Sequence, residues 1–376
     1  MKTFRHTILF PSMALLLSLT AALLLAGLAA AGGPGPAAAP RLAPPAPLNI
    51  TFDSDVLAVA VQGDDAYVGL EDAIVVLDIA NPMQPVIRGS LPLGRRYYYI
   101  FLQIEDNMLV FSGGSQVCVV DVSNPNYPTW ISPCADYSNN AVPFKLLNKY
   151  LYIVEGGRFH ILDLHDPTQP QVIYSIEDDH LIGDICTIDA EVNPRDGHTY
   201  VYMGGRRWCF PSHGCVGFSF LVADVTDPAN PQIEPLSRNG NISSLRIENS
   251  FIYLADYSSS VSILDATDPL HLQAAGSYSP SEHEALAILD VAGDRLMVGG
   301  QHRDVLFLAN VSDKAHPQEL SVHRDTAYTQ FVVSPKKDCA FVAERERGLH
   351  ILCDAHTYPQ PPALVWLPLL YENTRR

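Results

Sequence analysis

The sequence predicts an all-β fold, a seven-bladed β-propeller of four-stranded antiparallel blades. Three observations predict it. A short apolar run ending in Asp recurs down the chain at a nearly fixed interval. Two prolines follow that Asp in register in most copies. Each copy holds four short apolar runs, and no segment carries a helical hydrophobic period of useful length.

The recurring run reads IVVLD at Asp78, VCVVD at Asp121, FHILD at Asp163, FLVAD at Asp224 and VSILD at Asp265. The sixth copy is FLAN at Asn310 and the seventh HILCD at Asp354. Successive intervals are 43, 42, 61, 41, 45 and 44 residues, so only the third breaks the period. Pro82 and Pro85 follow Asp78, and equivalent pairs follow Asp121, Asp163 and Asp224. Asp265 keeps Pro269 but has Leu272 at the second place, and Asn310 keeps only Pro317. An Asp at a strand end can accept a hydrogen bond from its own chain two residues on, forming an Asx-turn. The Asn-Pro or Asp-Pro step then stops the strand. The second Pro opens the next strand and lacks an N–H for a ladder, which marks that strand as an outer edge.

Upstream of each Asp run lies a second run, such as Ala66-Tyr67-Val68, Tyr150–Val154, Phe251–Leu254 and Ala340–Ala343. Before it comes a third, such as Val56–Val61, His283–Leu289 and Thr329–Val333. After the prolines comes a fourth, such as Val86–Leu91 and Gln171–Ile176. Four antiparallel strands in a unit of this length make a propeller blade. One blade cannot bury both faces alone, and radial stacking of seven does so. A pair of β-sandwiches would not explain a motif repeated in register. The first strand of each copy is expected to line the central channel and the fourth to lie outside. Whether Leu48–Phe52 adds a strand at ring closure stays open.

The apolar run ending in Asp, followed by Asn/Asp-Pro and a further Pro, resembles the LVIVD repeat, known from bacterial surface and secreted proteins. The resemblance covers nearly all of residues 55–367. It implies a propeller and carries over no catalytic residue. Asn310, Leu272 and the long third interval are the departures.

The amino terminus reads separately. Lys2, Arg5 and His6 form a positive start, Ile8–Ala31 is almost wholly apolar, and Ala29-Ala30-Ala31 offers a cleavage site. Residues 1–31 are therefore expected to be a signal peptide, 32–47 an Ala/Pro/Gly-rich linker, and 48–376 the propeller. The expected location is secreted or cell surface. An uncleaved anchor is the alternative, since the apolar stretch is long enough to span a bilayer; the membrane enters only through it. The net charge of −17 opposes phosphate backbones, so no nucleic-acid partner is expected.

All seven cysteines follow residue 31, and export permits disulfides. Cys209 and Cys215 bracket a short loop, FPSHG. Cys339 and Cys353 sit on two arms of one hairpin, and Cys118 and Cys134 flank another strand connection. Each pair is a candidate, because spacing does not fix connectivity. The odd count leaves at least one thiol, with Cys186 the choice.

In a four-stranded blade the Asp-Pro-Pro turns share one face with the turns between strands one and two. Their repetition reads as structural. The opposite face carries the passages between blades and the turns between strands two and three. The fourth unit holds the extra residues, partly at Glu191–His198 and partly at Arg206–Gly217 (RRWCFPSHGCVG). That second loop brings Arg206, Arg207, Trp208, Phe210 and His213 to the opposite face, and Arg and Trp are enriched in binding hot spots. The passages add Arg95-Arg96-Tyr97-Tyr98, Asn139-Asn140, Asp178-Asp179-His180, Asn239, Glu282-His283-Glu284 and His323-Arg324-Asp325 around a funnel. From these, Tyr97, Tyr98, His180 and His283 join the candidate ligand-binding residues. No metal set is assigned: His180, His283 and His323 have acidic neighbours, but no close ligand pair supports them. No GxSxG elbow, HExxH, calcium loop or phosphate-binding glycine loop occurs. Gly113-Gly114 and Gly299-Gly300 read as turn glycines with positive φ. The expectation is an exported binding module using this face and the 206–217 loop, with an unknown protein, glycan or envelope component as partner and no cofactor named. The alternative is a hydrolase or lyase, metal-assisted or not, with its site in the funnel.

Overall fold

The computed structural model describes residues 48–131, 134–137, 143–155, 157–178, 184–206, 208–210, 214–216, 219–237, 241–282, 284–328, 330–334, 338–353 and 365–366. The expected leader and linker lie outside them. The described residues hold no helix, and none long and apolar enough to cross a membrane. They form seven sheets of four or five strands and one two-stranded hairpin.

The first blade shows the pattern. Val56–Gln62, Asp65–Leu70, Ala73–Asp78 and Val86–Pro92 pair in that order, each antiparallel to the next. The third to sixth blades repeat it. Their innermost strands are Phe144–Leu147, Asp184–Val192, Ser244–Glu248 and Leu286–Ala292. With Ile100–Glu105 of the second blade and Gln330–Ser334 of the seventh, these strands touch in a closed ring, the last against the first. The first strand of each unit does line the channel, and the fourth lies outside.

Two blades depart from the pattern. In the second, the outer strand is split: Thr129–Trp130 pairs with Val120–Asp121, and Ala135–Asp136 with Gln116–Val117. The Cys118–Cys134 disulfide ties the third strand to the outer one between those pieces. In the seventh, Leu48–Thr51 supplies the fourth strand, antiparallel to Leu349–Cys353, and Val365–Trp366 adds a parallel edge to it. The ring therefore closes by joining the chain's early strand to its last blade.

The core is distributed. Seven buried clusters are found among the described residues, and each joins two adjacent blades. This follows from strand alternation: both faces of a middle strand are apolar, because each meets a neighbouring blade. A bulky residue recurs at one position of the second strand, as Tyr67, Tyr152, Tyr202, Tyr253 and Phe341, all buried.

The Asp turns form as expected. Asp78, Asp121, Asp163, Asp224, Asp265 and Asn310 each accept the backbone N–H two residues on, at 2.8–3.0 Å. Asp354 lies outside the described residues. Asn310 also accepts from the Ser312 hydroxyl, so the amide serves the turn as the carboxylates do. A second tier was not read from the sequence. The Asn or Asp three places later, such as Asn81, Asp227 or Asp313, accepts from the backbone two residues beyond itself. The Asn or Asp at this place, which precedes Pro in the first five copies and Lys314 in the sixth, is thus an acceptor in its own right.

Two expectations are corrected. Gly299 and Gly300 close the strand Arg295–Gly300 and lack positive φ. They are needed for space, because a Cβ on Gly299 would collide with the Tyr328 hydroxyl, which donates to the Gly300 carbonyl. Of the other pair, Gly114 has φ 57°. His323 is not in a passage between blades. It belongs to the outer strand Gln318–Arg324, opposite Leu306, because that strand runs longer than the proline spacing suggests.

Candidate functional site

The inner strands begin at the inter-blade face, and their first residues surround a central cavity of about 430 Å³. Its floor comes from side chains that leave alternate positions of neighbouring strands. Gln103 donates to the Phe144 carbonyl at 2.7 Å and accepts from Leu146 N–H at 2.8 Å. Thr187 accepts from Leu245 N–H, and Ser244 from Leu289 N–H. Each links one blade to the next. The inner edge of each innermost strand leaves backbone N–H and C=O groups unpaired within its own blade, and polar side chains of the preceding blade satisfy them.

Charged residues continue the series. Lys145 pairs with Asp189 at 2.6 Å, and Arg246 with Asp290 at 3.0 Å. These four come from the third, fourth, fifth and sixth blades in turn, with alternating sign. Asp189 also accepts Ile247 N–H, and Asp290 accepts Val333 N–H. Burial works against the Arg246 charge, but Asp290 and Asp189 outweigh it and hold its pKa above the usual guanidinium value. The charges are matched inside the wall, where lone ones would be costly.

The rim differs from the floor. Tyr98 is 73% exposed and Tyr99 56%, with Phe101 exposed beside them and Tyr257, Arg303 and Gln301 across the mouth. Three large aromatic side chains within four positions stand in solvent on one passage, whereas Tyr97 beside them turns inward. Tyr97 packs edge-on against Phe111, and its N–H donates to the Glu71 carbonyl. Among the described residues that line the cavity there is no carboxylate and no histidine.

The later part of the fourth blade's extra residues stands on the same face, since it joins the second and third strands, whereas Glu191–His198 joins the first and second at the other face. Trp208–Phe210 and Gly214–Val216 form an antiparallel hairpin between the second and third strands, with Cys209 opposite Cys215. Arg207, His213, His180 and His283 lie outside the described residues, as do the side chains of Arg206, Trp208, Cys209, Phe210 and Cys215. Cys339 and Cys353 do form a disulfide across one strand pair. Cys186 keeps its thiol, which donates to the Ile242 carbonyl at 3.2 Å.

Of the rim residues, Tyr98 is among the candidates named from the sequence, whereas Tyr99, Phe101, Tyr257 and Arg303 are not. The run of three tyrosines before an inner strand was the available signal. Tyr257 and Arg303 sit in turns between strands two and three, and only the closed ring brings them to the funnel.

The LVIVD repeat family matches residues 54–91, 112–136 and 141–178, within the first three blades. A comparison with curated proteins finds no match. Among solved structures, the chain is similar to the computationally designed Ika8 protein, at TM-score 0.54 and 10% identity over 82% of this chain and 100% of that one. It is similar to Sqt1 of Saccharomyces cerevisiae, at TM-score 0.52 and 10% identity over 82% and 99%. It is also similar to the Cps50 (Swd1) β-propeller domain of Myceliophteria thermophila, at TM-score 0.59 and 12% identity over 80% and 97%. Likeness at such identity shows the fold alone. The chain carries LVIVD repeats and builds a seven-bladed β-propeller that includes them.

Proposed function

We propose that this protein is an exported binding module, and that its ligand surface is the inter-blade face. One observation carries the reading. Tyr98, Tyr99 and Phe101 stand exposed at the mouth of a preformed cavity, where a large apolar area in water has no structural use. Aromatic side chains offer wide contact at low entropic cost, and the polar floor beneath is already hydrogen-bonded to the wall. The Trp208–Val216 hairpin extends the same face. The apolar start of the chain and the Cys118–Cys134 and Cys339–Cys353 disulfides support export to an oxidising compartment.

The test uses protein purified from the exported fraction of an expressing culture. It is applied to an array of immobilised neutral glycans, acidic glycans and peptides, beside a Tyr98→Ala/Phe101→Ala variant of unchanged melting temperature. Retention on at least one compound, lost in the variant, is expected. Equal retention of both proteins on every compound would remove the rim from the reading. Failure to leave the cytoplasm would remove export.

A further inference from the structure

A second cavity, of about 590 Å³, opens on the same face beside the funnel. Three arginines line it, Arg95 and Arg96 from the passage into the second blade and Arg345 from a turn of the seventh. Tyr97, Tyr98 and Tyr99 complete its main walls, and no carboxylate occurs among its described lining. Such a concentration is out of keeping with the chain, which has 24 Lys and Arg against 41 Asp and Glu.

The arginines are held in place from behind. Arg96 pairs with Glu71, and the exposures are unequal: 70% for the Arg96 side chain, 11% for that of Glu71. The carboxylate thus lies beneath, and the guanidinium faces out. Arg345 reaches Asp55 at 3.9 Å and stands 6.0 Å from the Tyr99 ring. Arg95 lies over the Tyr97 ring at 4.6 Å and donates to the Gln116 side-chain oxygen at 2.8 Å. Gln116 is fixed in turn, since its amide donates to Asp136 at 3.0 Å. Arg95 therefore has a stacked, oriented guanidinium whose hydrogen-bond partner is neutral. It can turn its remaining N–H groups to an anion without breaking an ion pair.

We propose that this cavity binds an acidic saccharide, a pyranose bearing a carboxylate. The proposal deepens the binding reading above and rests on it. The carboxylate meets Arg95; Arg96 and Arg345, whose charges Glu71 and Asp55 balance, add further N–H donors. The C–H face of the ring lies on the exposed phenol of Tyr98 or Tyr99, and sugar hydroxyls remain in the open mouth. A polyglutamate peptide satisfies the arginines equally well but brings no ring C–H face to two adjacent exposed tyrosines. Those tyrosines belong to both cavities, so a longer chain of sugars can run from the arginines into the funnel.

Titration calorimetry on the exported full chain tests this with tetragalacturonate, maltotetraose and tetraglutamate. Tetragalacturonate is expected to bind about tenfold or more tightly than either of the others, one charge-assisted contact being of that size. Arg95→Gln is expected to weaken tetragalacturonate about tenfold and leave maltotetraose unchanged, and Arg95→Lys to fall between. Unchanged melting temperatures show that the variants fold. Binding of maltotetraose as tight as tetragalacturonate overturns the acidic preference. Tetraglutamate binding as tightly overturns the saccharide. Full binding by Arg95→Gln overturns the site. In each case array compounds lost with Tyr98 and Phe101 would still support the face as a binding surface, so the two readings fail separately.

Discussion

At the end of the fifth blade's third strand, Asp265 accepts two hydrogen bonds, from the Thr267 N–H at 2.8 Å and the Thr267 hydroxyl at 2.6 Å. Those bonds hold its pKa below the ordinary carboxylate value. Asn310 makes the same pair of contacts with Ser312. What the turn requires is therefore a short side chain ending in an sp² oxygen, and the carboxylate's charge strengthens the bonds to it. Asp265→Ala is expected to lower unfolding stability at neutral pH by about 1 kcal/mol, and Asp265→Asn by less. Urea unfolding checks this, and equal losses in the two variants would show that the charge carries the whole of the contribution. This much was legible in the sequence, because an Asx-turn is local chemistry, decided within three residues. The fates of Tyr97 and Tyr98 were not legible. They are adjacent and chemically identical, yet one is core and the other solvent-facing, which depends on where the second blade's Phe111 and Gly113 stand.

Between elements, the inner strands are joined by side chains at alternate positions. Thr187, Asp189 and Glu191 reach Leu245, Ile247 and Ser250 of the next blade; Ser244, Arg246 and Glu248 reach Leu289, Asp290 and Gly293 of the one after. The alternation T-x-D-x-E and S-x-R-x-E is present in the sequence. In sequence it is indistinguishable from an ordinary solvent-facing strand pattern, because the partner lies more than 40 residues away and is fixed only when the ring closes. Glu191 is the exposed point of this system in energetic terms. Burial pushes its carboxyl up to about 7, and Asp189 and Glu248 add to that, against the Ser250 N–H that favours the charge. The folded state thus holds a proton that the unfolded chain, with a value near 4.5, gives up. Stability from this group is complete below about pH 4.5 and falls as pH rises through about 7. Glu191→Gln keeps an acceptor for Ser250 and cannot ionise. It is expected to be more stable than the wild type at pH 8, by on the order of 1 to 3 kcal/mol, and nearly equal to it at pH 4.5. Urea titrations at the two pH values decide this, and an equal offset at both would show that Glu191 does not titrate in this range.

For the whole molecule the question is what keeps seven similar blades in one ring. Each blade buries its faces only against neighbours, so an opened ring leaves two apolar faces in water. The seventh blade prevents this with a strand from the other end of the chain. Leu48 and Ile50 are buried in the cluster between the seventh and first blades, opposite Ile351 and Leu349. Two backbone bonds between Val56 and Arg345 reinforce the joint. The Cys339–Cys353 bridge lies within the blade and does not hold the closing strand, so the closure is noncovalent among the described residues. Ile50→Ala should then cost about 2–5 kcal/mol, the ordinary range for emptying a fully buried aliphatic site. Gly348→Ala should act at the same joint for a different reason. Gly348 has φ 97°, and a Cβ there would strike the Ile50 carbonyl. In hydrogen exchange, both variants should release the amides of Leu349–Cys353 before those of the third blade, with the first blade's inner strand following. Protection lost evenly from all blades would mean that the ring opens as a unit, and unchanged protection in both variants would mean that Leu48–Thr51 does not close it.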